Sequence, residues 1–160
     1  MAERLAGYDF LTTWCLDAPL ERVWEAIYEV EDWPRWWRGV EVVQKLEHGD
    51  ENGLGSVYRH RWRSRLPYTI GFDMTTTRIE RPHLLEGHAR GELEGFGRWR
   101  LYEGEGTAVT YQWTVRTTRP WMRALEPAGR PVFVWSHNVV MRWGGEGLAR
   151  LLGARLLGTG

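Results

Sequence analysis

The sequence predicts an α+β fold: a curved antiparallel sheet of about seven strands wrapped around a long C-terminal helix, with two short helices after the first strand. Three observations carry this expectation. From Val40 to Thr117 the apolar residues recur with period two, and short turn signals divide them into consecutive strands. After Arg119-Pro120 the period becomes helical and stays so almost to the end. Ahead of the sheet lie one strand and two brief helical patterns.

Residues 8–16 (YDFLTTWCL) read as a strand, with Phe10, Thr12 and Trp14 on one face and Leu11, Thr13 and Cys15 on the other. Asp17-Ala18-Pro19 is a helix-start signal, because Pro is tolerated in a first turn and Asp can cap free N–H groups. Leu20, Val23, Trp24 and Ile27 follow at helical spacing. Asp32-Trp33-Pro34 starts a second turn carrying Trp36 and Trp37. Strands are expected near 40–48, 54–65, 68–80, 84–93, 95–104 and 107–117, separated by Gly- and Pro-containing turns such as Gly104-Glu105-Gly106. Such short connections imply an antiparallel meander. Pro127, Gly129 and Pro131 break the last region, so the long helix is expected over about Pro131–Leu157. A short preceding helix would hold Trp121, Met122 and Leu125. No repeat, linker or low-complexity tract is present.

The chain has 160 residues and zero formal net charge. One domain over 1–160 is expected, with no general electrostatic pull toward nucleic acid. Cys15 is the sole cysteine, which excludes an internal disulfide and a cysteine zinc cage. Met1–Gly7 lacks an apolar signal core. No apolar run approaches the roughly 20 residues a membrane-spanning helix needs. The expected location is cytoplasmic, with no stable membrane insertion.

Eleven tryptophans are the outstanding feature of the composition. They imply either an over-filled core or a roomy aromatic cavity. Arg59, Arg61, Arg63 and Arg65 alternate and cannot all be buried unpaired, so Tyr58, His60 and Trp62 should face inward. The same alternation turns Ile70, Phe72, Met74 and Thr76 inward, with Trp99, Leu101, Val109, Tyr111, Trp113 and Val115. Leu85, Gly87, Ala89 and Gly91 would leave space on their strand. On the long helix Phe133, His137, Val140, Met141, Gly144 and Leu148 share one side. Gly144-Gly145 in mid-helix costs about 1 kcal/mol per residue relative to Ala, which points to a kink or a close approach. Trp24, Trp33 and Trp36 read as structural, whereas Trp62, Trp99 and Trp113 face the space between sheet and helix. An apolar lining with a few polar tips suits a ligand pocket, and it equally describes a filled core.

Other features read as scaffold. The arginine stripe is a solvated face, with Asp73 and Glu86 available as partners. His83 and His88 fall on opposite faces of a regular strand, so no metal site is expected. Cys15 reads as a small core thiol. No phosphate loop, nucleophile elbow or metalloprotease motif occurs, and no cofactor is implied.

Three segments resemble a known family. They are Trp14–Pro19 with Val23-Trp24 and Asp32–Trp37; Gly91–Leu101 followed by Thr110–Trp113; and Trp135–Met141 running into Gly145–Leu148. With the order of elements, they resemble the helix-grip fold of the START/Bet v 1-like (SRPBCC) superfamily, in its bacterial polyketide cyclase/dehydrase-like branch. The resemblance implies a cavity between sheet and helix. The implied partner is a hydrophobic, ring-containing small molecule, polyketide- or lipid-like. Its expected contacts are Tyr58, His60, Trp62, Phe72, Met74, Trp99, Tyr111, Trp113, Phe133, His137 and Met141. Whether the protein is an enzyme stays open. A polyketide cyclase or aromatase-dehydratase would draw its acid–base groups from His137, His60, Tyr58 and Tyr111. A lipid or quinone chaperone is the third reading, ranked last for want of a basic amphipathic helix. A homodimer is compatible with the sequence.

Overall fold

The computed structural model describes residues 7–160. Its elements are β1 (Gly7–Leu16), α1 (Leu20–Tyr28), a 3-10 turn (Val30–Asp32), α2 (Trp33–Trp36) and β2 (Val40–Glu47). They continue as β3 (Val57–Arg63), β4 (Thr69–Glu80), β5 (Leu84–Gly91), β6 (Leu93–Glu103), β7 (Thr107–Thr117), α3 (Pro120–Leu152) and β8 (Leu156–Thr159). The expectation for Met1–Gly7 lies, apart from Gly7, outside the described residues.

The strands form one antiparallel sheet in the order β2-β3-β4-β5-β6-β7-β1-β8. Residues 40–117 form the expected meander, and β1 returns beside β7 with Phe10 opposite Trp113 and Trp14 opposite Val109. Alternation then selects the faces. Val109, Tyr111, Trp113 and Val115 are buried, and Arg59, Arg61, Arg63 and Arg65 are exposed. Arg59 forms a bidentate pair with Asp73 at 2.9 and 3.1 Å. Glu86 turns to Arg98 instead of the stripe.

Four sequence expectations need correction. First, α3 is one helix from Pro120, not a short helix and a later long one, and it carries Pro127 and Pro131 inside. Each proline removes one helical N–H donor, but the N-terminal end is held elsewhere. The Glu92 carboxylate pairs with Arg119 and accepts the Gly71 N–H, while Thr118 bonds the carbonyls of Gly91 and Glu92 through its hydroxyl and N–H. Second, the helix stops at Gly153, whose φ of 61° is left-handed, with Ala154 N–H returning to the Ala149 carbonyl. The freed tail becomes an eighth strand on β1. Third, Asp17 does not cap α1, whose N-cap is Pro19 without a side-chain bond. Asp17 pairs with Arg155 at 3.2 Å and so fastens the tail. Fourth, Cys15 lies half-buried on the face of β1 opposite Trp14 and Leu16, outside the main core.

The concave face of the sheet is closed by α1, α2 and α3. Leu20, Val23, Trp24 and Ile27 form the buried side of α1. The glycines of α3 mark a close approach. A Cβ on Gly144 would stand 2.4 Å from the Trp37 indole, one on Gly145 3.0 Å from Trp14, and one on Gly147 1.8 Å from the Trp36 carbonyl. The indole N–H of Trp37 donates to the Val140 carbonyl at 2.9 Å, and that of Trp14 to the Met141 carbonyl at 3.1 Å.

Candidate functional site

The space between sheet and α3 is divided. Trp33, Trp37, Trp62 and Trp99 meet in its centre, with ring centroids 4.9–6.2 Å apart in the pairs Trp37–Trp62, Trp33–Trp99 and Trp33–Trp62. Trp33 is therefore both scaffold and cavity wall. Tyr111 lies stacked on Trp99 at 4.0 Å. On one side remains a cavity of about 150 Å³, and on the other a smaller one of about 50 Å³.

All eleven expected contact residues border one cavity or the other. Trp113, Phe133, His137 and Met141 line the larger, and Tyr58, His60, Met74 and Trp99 the smaller. Trp62, Phe72 and Tyr111 belong to both and form the dividing wall. The alternation reading overlooked several lining residues. Tyr8 shares the inward face of β1 with Phe10, so alternation could have found it. Met122 was hidden by cutting the helix at its prolines, whereas Ser136 falls within the expected helix but is too small and polar to join its apolar side. Ser64 and Tyr68 lie in the β3–β4 loop, because β3 and β4 are shorter than the strands expected over 54–65 and 68–80. They nevertheless share the parity of Trp62 and Ile70, and an extended alternation would have included them.

Among the described residues Arg63 is the one charged side chain lining the larger cavity, and it is exposed at the edge. Within, the polar groups are neutral. His137 lies flat on Phe10, with centroids 3.7 Å apart and planes 10° apart. Both its ring nitrogens are buried without a hydrogen-bond partner. Burial pulls its pKa down to about 4, and neighbouring Asn138 acts in the opposite direction without meeting hydrogen-bond geometry. His60 is stacked on Phe72 at 5.0 Å and 7°. Its Nδ1 accepts the Trp62 indole N–H at 3.1 Å. The proton of a neutral ring therefore sits on Nε2, which is buried without a partner. Burial lowers this pKa to about 4 as well, against the opposing pull of Asp73. Desolvation also raises the Tyr111 phenol above its ordinary range. The Tyr8 phenol is pushed up to about 12 by burial first and then by Glu126.

These groups suit hydrogen bonding to a neutral molecule. An imidazole with a pKa near 4 is almost wholly unprotonated at pH 7, so it is neither a ready acid nor a strong base. A buried donor or acceptor without a partner costs about 1–3 kcal/mol. A ligand that supplies the missing bond recovers part of that cost.

The family model described as "Polyketide cyclase / dehydrase and lipid transport" matches residues 16–137. No curated protein sequence matches the chain. Among solved structures, it superposes on the di-domain aromatase/cyclase BexL from the BE-7585A biosynthetic pathway with a TM-score of 0.73 and 18% identity, covering 94% of this chain and 52% of that one. The chain thus spans about half the length of that protein, as it does of the similar di-domain StfQ. The ZhuI aromatase/cyclase from Streptomyces sp. R1128 gives 0.60 and 17% identity over 91% of this chain and 96% of that one. Ara h 8.0201 gives 0.59 and 14% over 89% and 99%. At such identities the likeness is one of fold.

Proposed function

The chain belongs to the polyketide cyclase/dehydrase and lipid transport family, and from that premise we propose that it binds a neutral, hydrophobic, ring-containing small molecule of polyketide type in the larger cavity. The observation that carries this reading is His137: a buried imidazole with two unpartnered nitrogens in an otherwise apolar, aromatic wall. Ligand pockets pair broad apolar walls with a few orienting polar groups. A volume of about 150 Å³ is small beside the roughly 300–1,000 Å³ of drug-sized sites. The enclosed part of the ligand is therefore one or two rings, with the remainder leaving past Arg63 and Ser64. Trp62, Trp113 and Phe72 supply ring faces, and His137 orients a hydroxyl or carbonyl.

The test pairs two probes, 2-naphthol and naphthalene, titrated against tryptophan fluorescence. The reading expects saturable binding of both and tighter binding of the naphthol. In His137→Phe the preference for naphthol should vanish while naphthalene still binds. Absence of saturable binding by either probe, with no small molecule copurifying in native mass spectrometry, refutes it.

A second reading is catalytic. His60 and His137 stand on opposite sides of the Trp62–Phe72–Tyr111 wall, and Tyr58 and Tyr111 add phenols. That constellation would steer aldol cyclisation and dehydration of a poly-β-ketone by holding enol oxygens. It predicts turnover of such a chain that falls in His137→Ala. Unchanged turnover in that variant removes its principal group.

A further inference from the structure

We propose that the outward face of the N-terminal half of α3 docks on an anionic lipid surface. Trp121, Leu125, Ala128, Val132, Trp135 and Val139 follow one another at alternating four- and three-residue steps, which aligns them in one stripe along a helix. Trp121, Leu125, Val132 and Trp135 are 43, 53, 46 and 48% exposed. The same stretch buries a different side, where Met122, Phe133 and Ser136 line the larger cavity. This half of the helix is thus apolar on two faces, and only one is covered by the sheet. Two tryptophans with Leu and Val between them are the residues that settle at the boundary of a bilayer.

Charge selects the kind of surface. The only acid between residues 119 and 145 is Glu126, which is buried. Around the stripe, Arg38 and Arg65 reach over the half-buried Trp143 ring at 4.2 and 5.9 Å, and Arg142 is exposed on the helix. Arg63 stands at the cavity edge. Trp121 itself packs edge-on against Tyr68 of the cavity wall at 5.1 Å. The stripe is therefore bordered by cations and lies beside the cavity opening. A second copy of the chain would bring the same arginines against one another, with no acid on the stripe to receive them. A leaflet with anionic headgroups offers both an apolar boundary and the complementary charge. No helix among the described residues is long and apolar enough to cross a membrane, so the contact is a surface one.

The experiment is co-sedimentation with vesicles of phosphatidylcholine alone and of phosphatidylcholine with phosphatidylglycerol. The protein should pellet with the anionic vesicles only, and high salt should release it. Arg65→Gln with Arg142→Gln should weaken partitioning about twenty-fivefold, since each surface arginine is worth about fivefold. Leu125→Ser with Trp135→Ser should weaken it roughly tenfold or more. None of these four residues lines the cavity, so naphthol binding in solution should be unchanged in every variant. Loss of naphthol binding with vesicle binding intact would count against the cavity reading alone. Equal pelleting with both vesicles, no pelleting with either, or variants that bind vesicles like the parent would overturn the lipid surface. A parent protein that is dimeric by light scattering, becomes monomeric in Leu125→Ser/Trp135→Ser and ignores vesicles would assign the stripe to a second copy instead.

Discussion

The ring of Trp37 fills the place where a side chain on Gly144 would begin, and its N–H donates to the Val140 carbonyl one helical turn earlier. In an α-helix that carbonyl already accepts the N–H of residue 144, so the indole shares it. Trp14 repeats the arrangement one residue on, with Gly145 and the Met141 carbonyl. Two indoles thus hold α3 against the sheet at a glycine notch. On the N-terminal side of the notch, Met141, Val140, His137, Ser136 and Phe133 line the larger cavity.

Gly144→Ala tests the notch. In an unencumbered helix the change would stabilise by up to about 1 kcal/mol. Here the new methyl meets a fully buried indole, and overpacking of this kind costs ~1–3 kcal/mol. Net destabilisation is expected in urea unfolding. A more stable Gly144→Ala protein would show that Trp37 gives way easily.

Stability should fall as the solution is acidified from pH 6.5 toward pH 4. His60 and His137 titrate near 4 when folded and near 6.5 when unfolded. In that window the unfolded chain binds more protons, so ∂ΔG/∂pH of unfolding is positive. The favourable state is fully present above pH 6.5 and is lost as pH falls through the folded value. The combined effect is on the order of a few kcal/mol. Thermal or urea unfolding across this range measures it, and His60→Phe should flatten the slope.

His137→Phe should stabilise the unliganded protein. It exchanges two unpartnered buried nitrogens for carbon while keeping a ring against Phe10. Removing a buried unsatisfied group is worth about 1–2 kcal/mol. Differential scanning calorimetry at pH 7 should show a higher Tm. A lower Tm would mean that His137 already has a structural partner, such as an ordered water.

Gly97 and Gly87 should respond differently to alanine, although both border the smaller cavity. A Cβ on Gly97 would meet the Tyr111 hydroxyl at 2.6 Å and the Trp113 ring at 3.0 Å. Neither packed ring can swing away, so a loss of ~1–3 kcal/mol is expected. On Gly87 the nearest atom, at 2.8 Å, is the terminal methyl of Met74, followed by the Thr75 carbonyl oxygen at 3.2 Å. A flexible methionine adapts and the carbonyl need give by only a few tenths of an ångström, so the cost should be smaller than at Gly97, about 1 kcal/mol. Equal losses at the two positions would contradict this account.

Much of the site was legible because strands alternate. The exposed arginines of residues 59–65 turned Tyr58, His60 and Trp62 inward without any knowledge of the fold. Helical spacing did the same for Phe133, His137 and Met141. Tyr68 was missed because the inward stripe was begun at Ile70, although Tyr68 shares its parity at the start of the strand expected over 68–80; the observed strand starts one residue later. Met122 was lost for a different reason. Pro127 and Pro131 are strong local signals to end a helix, and here the anchoring of Thr118 and Arg119 on Glu92 overrides them. The basic apolar face of α3 went unnoticed for the same reason, because it straddles those prolines.

The sequence by itself determined the order of elements as far as the seventh strand, the side of the sheet the strand residues face and the aromatic character of the interior. Those properties follow from periods of two and 3.6 and from the cost of burying unpaired charge, all of them local. Only the tertiary structure decided that the interior is two cavities, with Trp62, Phe72 and Tyr111 between them, and that beside them lie two neutral histidines, His137 with both ring nitrogens unpartnered and His60 with its Nε2 unpartnered. The physical reason is distance. The volume left between sheet and helix depends on how closely α3 approaches, and residues more than one hundred positions apart set that approach when Trp14 and Trp37 reach Met141 and Val140.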